Sequence, residues 1–424
     1  MQPVTTNTNI PVHLFQTKQF KTTAVIMQCR APLSEHTAAG RALLARVLKK
    51  GSLRYPSQSH IKEKLDDLYG ASFSVDVGKR GNYHVMSFRM EFVNEQFLPA
   101  QEDLFAEATA FLAEMVHAPL AENRAFNPKI VEEEKRTLLQ KINTIYDEKD
   151  RYANMRLVQE MCSAEAYSVH PLGDAHQMEA LDEQKLYDVY EQLLAEDAID
   201  VYVVGDVESY DMEPVTDPFP ERSPLPPVED GAERPPRVRY VEESDDIHQG
   251  KLQLGYRTTI TQDDPQFAAM QVTNGLFGGF PHSKLFQEVR EKRSLAYYAA
   301  SRYESQKGLV MVMTGIEKEQ YEQVKTVIGE QLQALQQEPV SDELLAQTKG
   351  MLINQIRETT DAPGGLAALH FQGKMAGRVR PIETWIEEIE QVSADDVLAC
   401  ANSIVLDTVF FLHGKEDKDA EATV

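Results

Sequence analysis

No two histidines in this chain lie three or four positions apart. His13, His36, His60, His84, His117, His170, His176, His248, His282, His370 and His413 are scattered, so no helix offers a metal ion two imidazoles on one face. Cysteine is equally sparse. Cys29, Cys162 and Cys400 are far apart and form no CxxC, which excludes a disulfide framework and fits a reducing, cytoplasmic location. No run of about 18 apolar residues occurs, so no membrane span is expected. The polar first residues carry no apolar segment of the secretory type. Positive charge is scarce: 43 Lys and Arg stand against 67 Asp and Glu, for a net charge of −24. That balance argues against nucleic acid as a partner and suits either a soluble protein or an acidic cavity that attracts basic peptides, two readings that the charge alone does not separate. There is also no GxSxG elbow, no P-loop and no GxGxxG.

What is present is enough for two or three domains, with 424 residues and an apolar fraction of 42%. Alternating patterns predict strands at 10–16, 22–29, 73–77 and 83–92, and a β-branched strand at 198–205. Helical spacing predicts helices at 35–50, with Thr37 as a cap and Leu43, Leu44, Val47 and Leu48 inward, and at 57–68, 101–116, from 128 onward, 151–163 and 182–195. Prolines and acids then crowd 213–236, as in an extended linker. The second half repeats the outline. Strands are expected at 250–258, from 297, at 309–314 and at 407–413, with helices at 264–277, 283–293, 318–336, 341–359, 364–376, 381–391 and 393–403. The expected class is α+β: two duplicated domains, each a mainly antiparallel sheet packed with helices. The expected boundaries are 1–212, a linker at 213–240, a second domain at 241–414 and a disordered tail at 415–424.

Residues 277–298 are the most informative stretch. Gly278 and Gly279 form a turn, Ser283 caps a short helix, and a charged run ends it before a strand. Arg290 and Tyr297 thus stand seven residues apart across a helix-to-strand corner. Periodicity alone reads this as a solvated helix end and a core tyrosine. The longer pattern, Gly-Gly then Ser-x-Leu-Phe-Gln-Glu-x-Arg-Glu-Lys-Arg-x-Leu-Ala-Tyr, resembles the C-terminal-domain signature of the M16 (pitrilysin, or inverzincin) metallopeptidases. The resemblance implies that Arg290 and Tyr297 face a chamber and hold substrate. It extends to Glu134-Lys135, to His170-Pro171-Leu172-Gly173 and to Val203-Val204-Gly205-Asp206.

M16 peptidases hold zinc through His-x-x-Glu-His and a glutamate on a later helix. In the matching segment, Ala42 and Arg46 stand at the two histidine positions, Ala45 at the general base and Lys141 at the third ligand. The resemblance therefore implies no metal, no cofactor and no catalytic residue in this chain. It implies half of a clam-shell dimer that keeps the substrate-holding pair and lacks the ion. Its partner would be a zinc-bearing M16 subunit, as in bacterial heterodimers of the group associated with elongation-factor-P modification, and its substrate a peptide. The alternative is a non-hydrolytic, peptide-binding scaffold that pairs with itself as a homodimer.

Overall fold

The computed structural model describes residues 3–5, 9–98, 103–207, 210–225, 228 and 237–415. Thirteen strands lie along these residues. They are β1 (Val4–Thr5), β2 (Val12–Gln16), β3 (Thr22–Pro32), β4 (Ser72–Arg80), β5 (Tyr83–Val93), β6 (Ala121–Glu122), β7 (Ala125–Phe126), β8 (Ala198–Gly205), β9 (Arg239–Asp245), β10 (Gly250–Arg257), β11 (Tyr298–Glu304), β12 (Leu309–Ile316) and β13 (Val405–Gly414). The short β6–β7 pair forms a hairpin of its own.

Two compact units divide the chain. In the first, the sheet runs β1-β2-β8-β3-β5-β4. β8 sits centrally, parallel to β2 and antiparallel to β3, and is buried on both faces, as its near-continuous run of apolar residues requires. In the second unit the order is β9-β13-β10-β12-β11. β13 is parallel to β9 and antiparallel to β10. Setting β1 aside, both sheets follow one rule. The last strand of the half inserts between the first two, and the first pair in that order is the only parallel one. This shared topology gives the two-domain α+β architecture its internal repeat.

The units are not contiguous in sequence. The first comprises Met1–Thr144, Val169–Gly231 and Glu358–Gln372, and the second Ile145–Ser168, Ala232–Arg357 and Gly373–Val424. Each half therefore sends a helix to the other half's sheet. Lys149–Met161 buries Ala153, Leu157 and Met161 with Leu309, Met311 and Phe410 of the second sheet. Pro363–Met375 buries Leu366, Ala367 and Phe371 in the first unit, where Phe371 meets the Tyr202 ring edge-on at 6.4 Å. Both helices are covers for an apolar sheet face, so their amphipathic pattern is visible in sequence but their destination is not.

Some local expectations shift. Ser34, not Thr37, caps the helix Glu35–Leu48 by accepting from the His36 N–H. Gly275–Gly279 continues the helix Phe267–Asn274 in wider, i→i+5 turns rather than forming a turn of its own. Gly278 itself is required by space: a Cβ there would lie 2.6 Å from the Ser301 nitrogen of β11. Within the proline-rich stretch, residues 213–225 pack on the first unit. Val215 and Phe219 are buried, Arg222 donates to the carbonyls of Leu194 and Asp197, and Asn9 donates to that of Pro220 at 2.9 Å. Residues 226, 227 and 229–236 of the expected linker, and the expected tail beyond Lys415, lie outside the described residues.

Candidate functional site

The helix Glu35–Leu48 carries the degenerate metal positions. Ala42 and Ala45 are buried and offer no donor atoms. Arg46 points to Glu134 on the helix Pro128–Asp147 and donates through Nε to Oε2. Lys50, in the turn just after this helix, holds Oε1 of Glu134 at 2.7 Å. Burial would raise the Glu134 carboxyl, but the hydrogen bonds from Lys50 and Arg46 outweigh it and hold the group below the usual carboxylate range. Glu134 is thus an anion neutralised twice over by side chains of this protein. Arg41, on the same helix, makes a separate buried bidentate pair with Asp197, at 2.9 and 2.7 Å.

The His170-Pro171-Leu172-Gly173 turn packs against this helix. Gly173 has φ +70°, and a Cβ there would fall 2.6 Å from the Ala39 nitrogen and Cβ, so only glycine fits. His170 Nδ1 accepts from the Leu172 N–H at 3.2 Å. Burial, then the charges of Lys79 and Lys141, push the His170 imidazole down to about 4. Burial and Arg41 push His84 on β5 down to about 3. Lys141, at the third-ligand position, is exposed. Two alanines and two cations cannot coordinate zinc, and among the described residues no group of three His, Cys, Asp or Glu could hold a metal ion.

The second candidate region lies in the other unit. Ser283 caps the short helix by accepting from the Phe286 N–H at 3.4 Å, and wide turns carry it over Phe286–Lys292. Ser294, at φ +49°, then reverses the chain. Its N–H donates to the Arg290 carbonyl at 3.1 Å, and the Leu295 N–H donates to that of Val289 at 2.9 Å. Buried Val289 and Leu295 pin this corner, and the Tyr297 N–H ties it to the Gly315 carbonyl on β12 at 2.9 Å.

Both sequence-predicted residues therefore sit on one rigid corner, with separate partners. The Arg290 guanidinium lies over the Phe286 ring at 4.7 Å and its Nε is 3.7 Å from Glu291. Tyr297 is 63% exposed, not in the core, and its hydroxyl donates to Glu317 at 3.0 Å. That bond raises the phenol's pKa and keeps it a proton donor. Alongside them, β11 is an edge strand with β12 as its one neighbour among the described residues. Sequence reasoning missed Lys50, which lies just past the end of the helix that carries Arg46. It also missed the pairing of Arg41 with Asp197, which are 156 positions apart.

Comparison with known proteins gives a consistent answer. Residues 180–352 match the family described as peptidase M16 inactive domain. A Bacillus subtilis protein described as "Probable inactive metalloprotease YmfF" is 42% identical over 96% of both chains. A conserved protein of Enterococcus faecalis superposes with TM-score 0.93 at 30% identity, covering 99% of this chain and 100% of its own. A Pseudomonas fluorescens M16 inactive-domain structure shares the fold, with TM-score 0.80 at 18% identity over 98% of this chain and 99% of its own. The missing ligands, the duplicated sheets and these likenesses agree: the chain belongs to the M16 peptidase family, as an inactive-type member that is not catalytic alone.

Proposed function

We propose that this chain is the non-catalytic half of a clam-shell peptidase. Its partner is an M16 subunit with an intact His-x-x-Glu-His, and it contributes Arg290 and Tyr297 as substrate-holding groups. The observation that carries this is the corner at 290–297: an accessible guanidinium and an accessible phenol beside β11, a strand with one strand neighbour among the described residues. An extended peptide adds to such an edge through its backbone, and Arg290 offers a planar fork of donors to its carbonyls. Tyr297 adds one O–H, exchanged from Glu317. The description of the Bacillus relative as a probable inactive metalloprotease supports the division of labour, as does the ion-paired Glu134 where a zinc site would otherwise be built. A reducing cytoplasm fits three free cysteines, all buried.

The test is the mixed complex of this chain with an M16 chain bearing the zinc motif. Arg290→Ala should leave assembly intact and lower peptide turnover about tenfold to a hundredfold, the loss expected for one charge-assisted hydrogen bond. Tyr297→Phe should cost less. Undiminished cleavage in both variants removes the assigned role. A chain that forms only homodimers, and never co-purifies with a zinc-bearing partner, favours the scaffold reading instead.

A further inference from the structure

A cavity of about 220 Å³ opens beside β11 in the second unit. Ser301, Arg302 and Tyr303 of that strand line it, together with Gln271 and Asn274. The last two are three positions apart on the helix Phe267–Asn274 and so share a face. Gly279, in the wide turns that follow, keeps the space open: a Cβ there would lie 3.1 Å from Nδ2 of Asn274. In a chain of net charge −24, the residues around this cavity include one cation, Arg302, and no acid.

The carboxamides here have already spent their acceptors. Trp385 Nε1 can only donate, and it donates to Oε1 of Gln271 at 2.8 Å, which fixes that amide and leaves its NH2 group as the end without a bond. Ser301 Oγ donates to Oδ1 of Asn274 at 2.8 Å, which leaves the NH2 of Asn274 beside Gly279. The Tyr303 hydroxyl gives its hydrogen to the Ile260 carbonyl at 2.7 Å. Arg302 is 64% exposed and its ion pair with Glu304 is long, at 3.7 Å. Two amide NH2 groups and a guanidinium are thus gathered on one small cavity with no anion among the lining residues. A single cation balances a single negative charge, which suits a carboxylate better than a doubly charged phosphate.

We propose that this cavity takes the side-chain carboxylate of an aspartate or glutamate in an extended peptide. The inference rests on the reading of β11 as the strand to which such a peptide adds. Side chains of an added strand then pass Ser301, Arg302 and Tyr303, and a cavity beside them selects one by its chemistry. Arg302 pairs with the charge, and the two carboxamides donate to its oxygens. Arg290 and Tyr297 hold the backbone, whereas the cavity reads the sequence.

The experiment uses the full chain and two labelled hexapeptides, acetylated and amidated so that no terminal charge remains, with a central Glu in one and Gln in the other. Affinity is read by fluorescence anisotropy at low ionic strength, and the emission of Trp385, bonded to Gln271, reports occupation of the cavity. The Glu peptide should bind about tenfold more tightly than the Gln peptide, and it alone should shift that emission. Arg302→Gln, at an exposed position, should bring the two affinities together without moving the thermal midpoint. Gly279→Ala, which sets a methyl against the Asn274 NH2, should narrow the gap as well. Arg290→Ala separates the two readings, because it should weaken both peptides alike and keep their ratio. If it weakens neither, while the preference for Glu and its loss in Arg302→Gln persist, the substrate-holding role fails and the acidic site stands. N-acetylglutamate amide binding as tightly as the Glu peptide would overturn the peptide as the source of the carboxylate. Equal affinity for the two peptides, no binding of either, or a preference that survives Arg302→Gln overturns the proposal.

Discussion

Removing the carboxylate of Glu165 should unfold the second unit more easily than any other single polar change in it. Glu165 lies in the segment that crosses to that unit, and its side chain is 2% exposed. Its oxygens hold Arg257 Nη2 at 2.6 Å and Lys307 Nζ at 2.8 Å. Arg257 also binds Asp407 at 2.7 Å and the Met161 carbonyl at 2.8 Å, so it keeps a counter-charge when Glu165 is lost. Lys307, whose side chain is 1% exposed, loses its 2.8 Å ion pair when the Glu165 carboxylate is removed. Breaking a buried pair leaves one charge uncompensated, at a cost of about 3–5 kcal/mol. Glu165→Ala should lose that much in urea denaturation. The chain's single tryptophan, Trp385, lies in the second unit, tilted against Phe267 at 5.6 Å, so its fluorescence reports this unit directly. Adding Lys307→Met should return part of the loss, because the buried ammonium that lost its ion pair with Glu165 is then gone. A loss below about 1 kcal/mol, or no recovery in the double variant, would refute the claim that this network clasps the crossing segment.

Two further outcomes are expected. Gly173→Ala must place its Cβ against the Ala39 backbone at a left-handed position, costing about 2–4 kcal/mol, whereas Gly70→Ala, at φ +76° with nothing within 4 Å, should cost only the backbone strain; equal midpoints for the two would contradict the packing of that turn. Acid should also destabilise the first unit. His84 and His170 are depressed to about 3 and about 4, so as the pH falls below 6.5 the unfolded chain takes up protons that the folded chain refuses. Stability present above pH 6.5 is then lost by about 1.4 kcal/mol per unit for each histidine, until the folded values are reached. Urea midpoints at pH 7 and 5.5 should diverge, and His170→Gln should shrink the difference; an unchanged difference means that His170 titrates as a free imidazole.

Much of the sheet framework was legible in the sequence because its strands are bounded by clear turns and carry strong apolar patterns. β3, β5, β8, β10 and β12 all fall where alternation or β-branched runs place them. β9 was not, because its Arg-Tyr-Val-Glu-Glu-Ser-Asp pattern is that of a half-exposed edge and merges with the proline-rich stretch before it. The exchange of Lys149–Met161 and Pro363–Met375 between units was equally hidden, since an amphipathic helix states that it needs a sheet but not which one. At the candidate sites, the placing of Ala42, Arg46 and Lys141 at metal-ligand positions came from the resemblance to the M16 motifs, and spacing alone gave only that no two histidines lie three or four apart. The pairing of Glu134 was not legible, because its two counter-ions come from a helix and the turn after it, far upstream in the chain and beyond any local periodicity.

The crossing helices set a constraint on how the protein is made. A ribosome releases the first sheet early, but the helix that covers it, Pro363–Met375, emerges only after β9 to β12 have been synthesised. Until then an oily surface waits in the open, and domain-by-domain maturation during translation is blocked. Premature termination anywhere before that helix leaves neither half finished, so quality control should see truncated products as wholly unfolded rather than as one sound domain with a ragged end. Gene splitting or module shuffling at the midpoint meets the same barrier, which ties the two halves together as a single heritable unit.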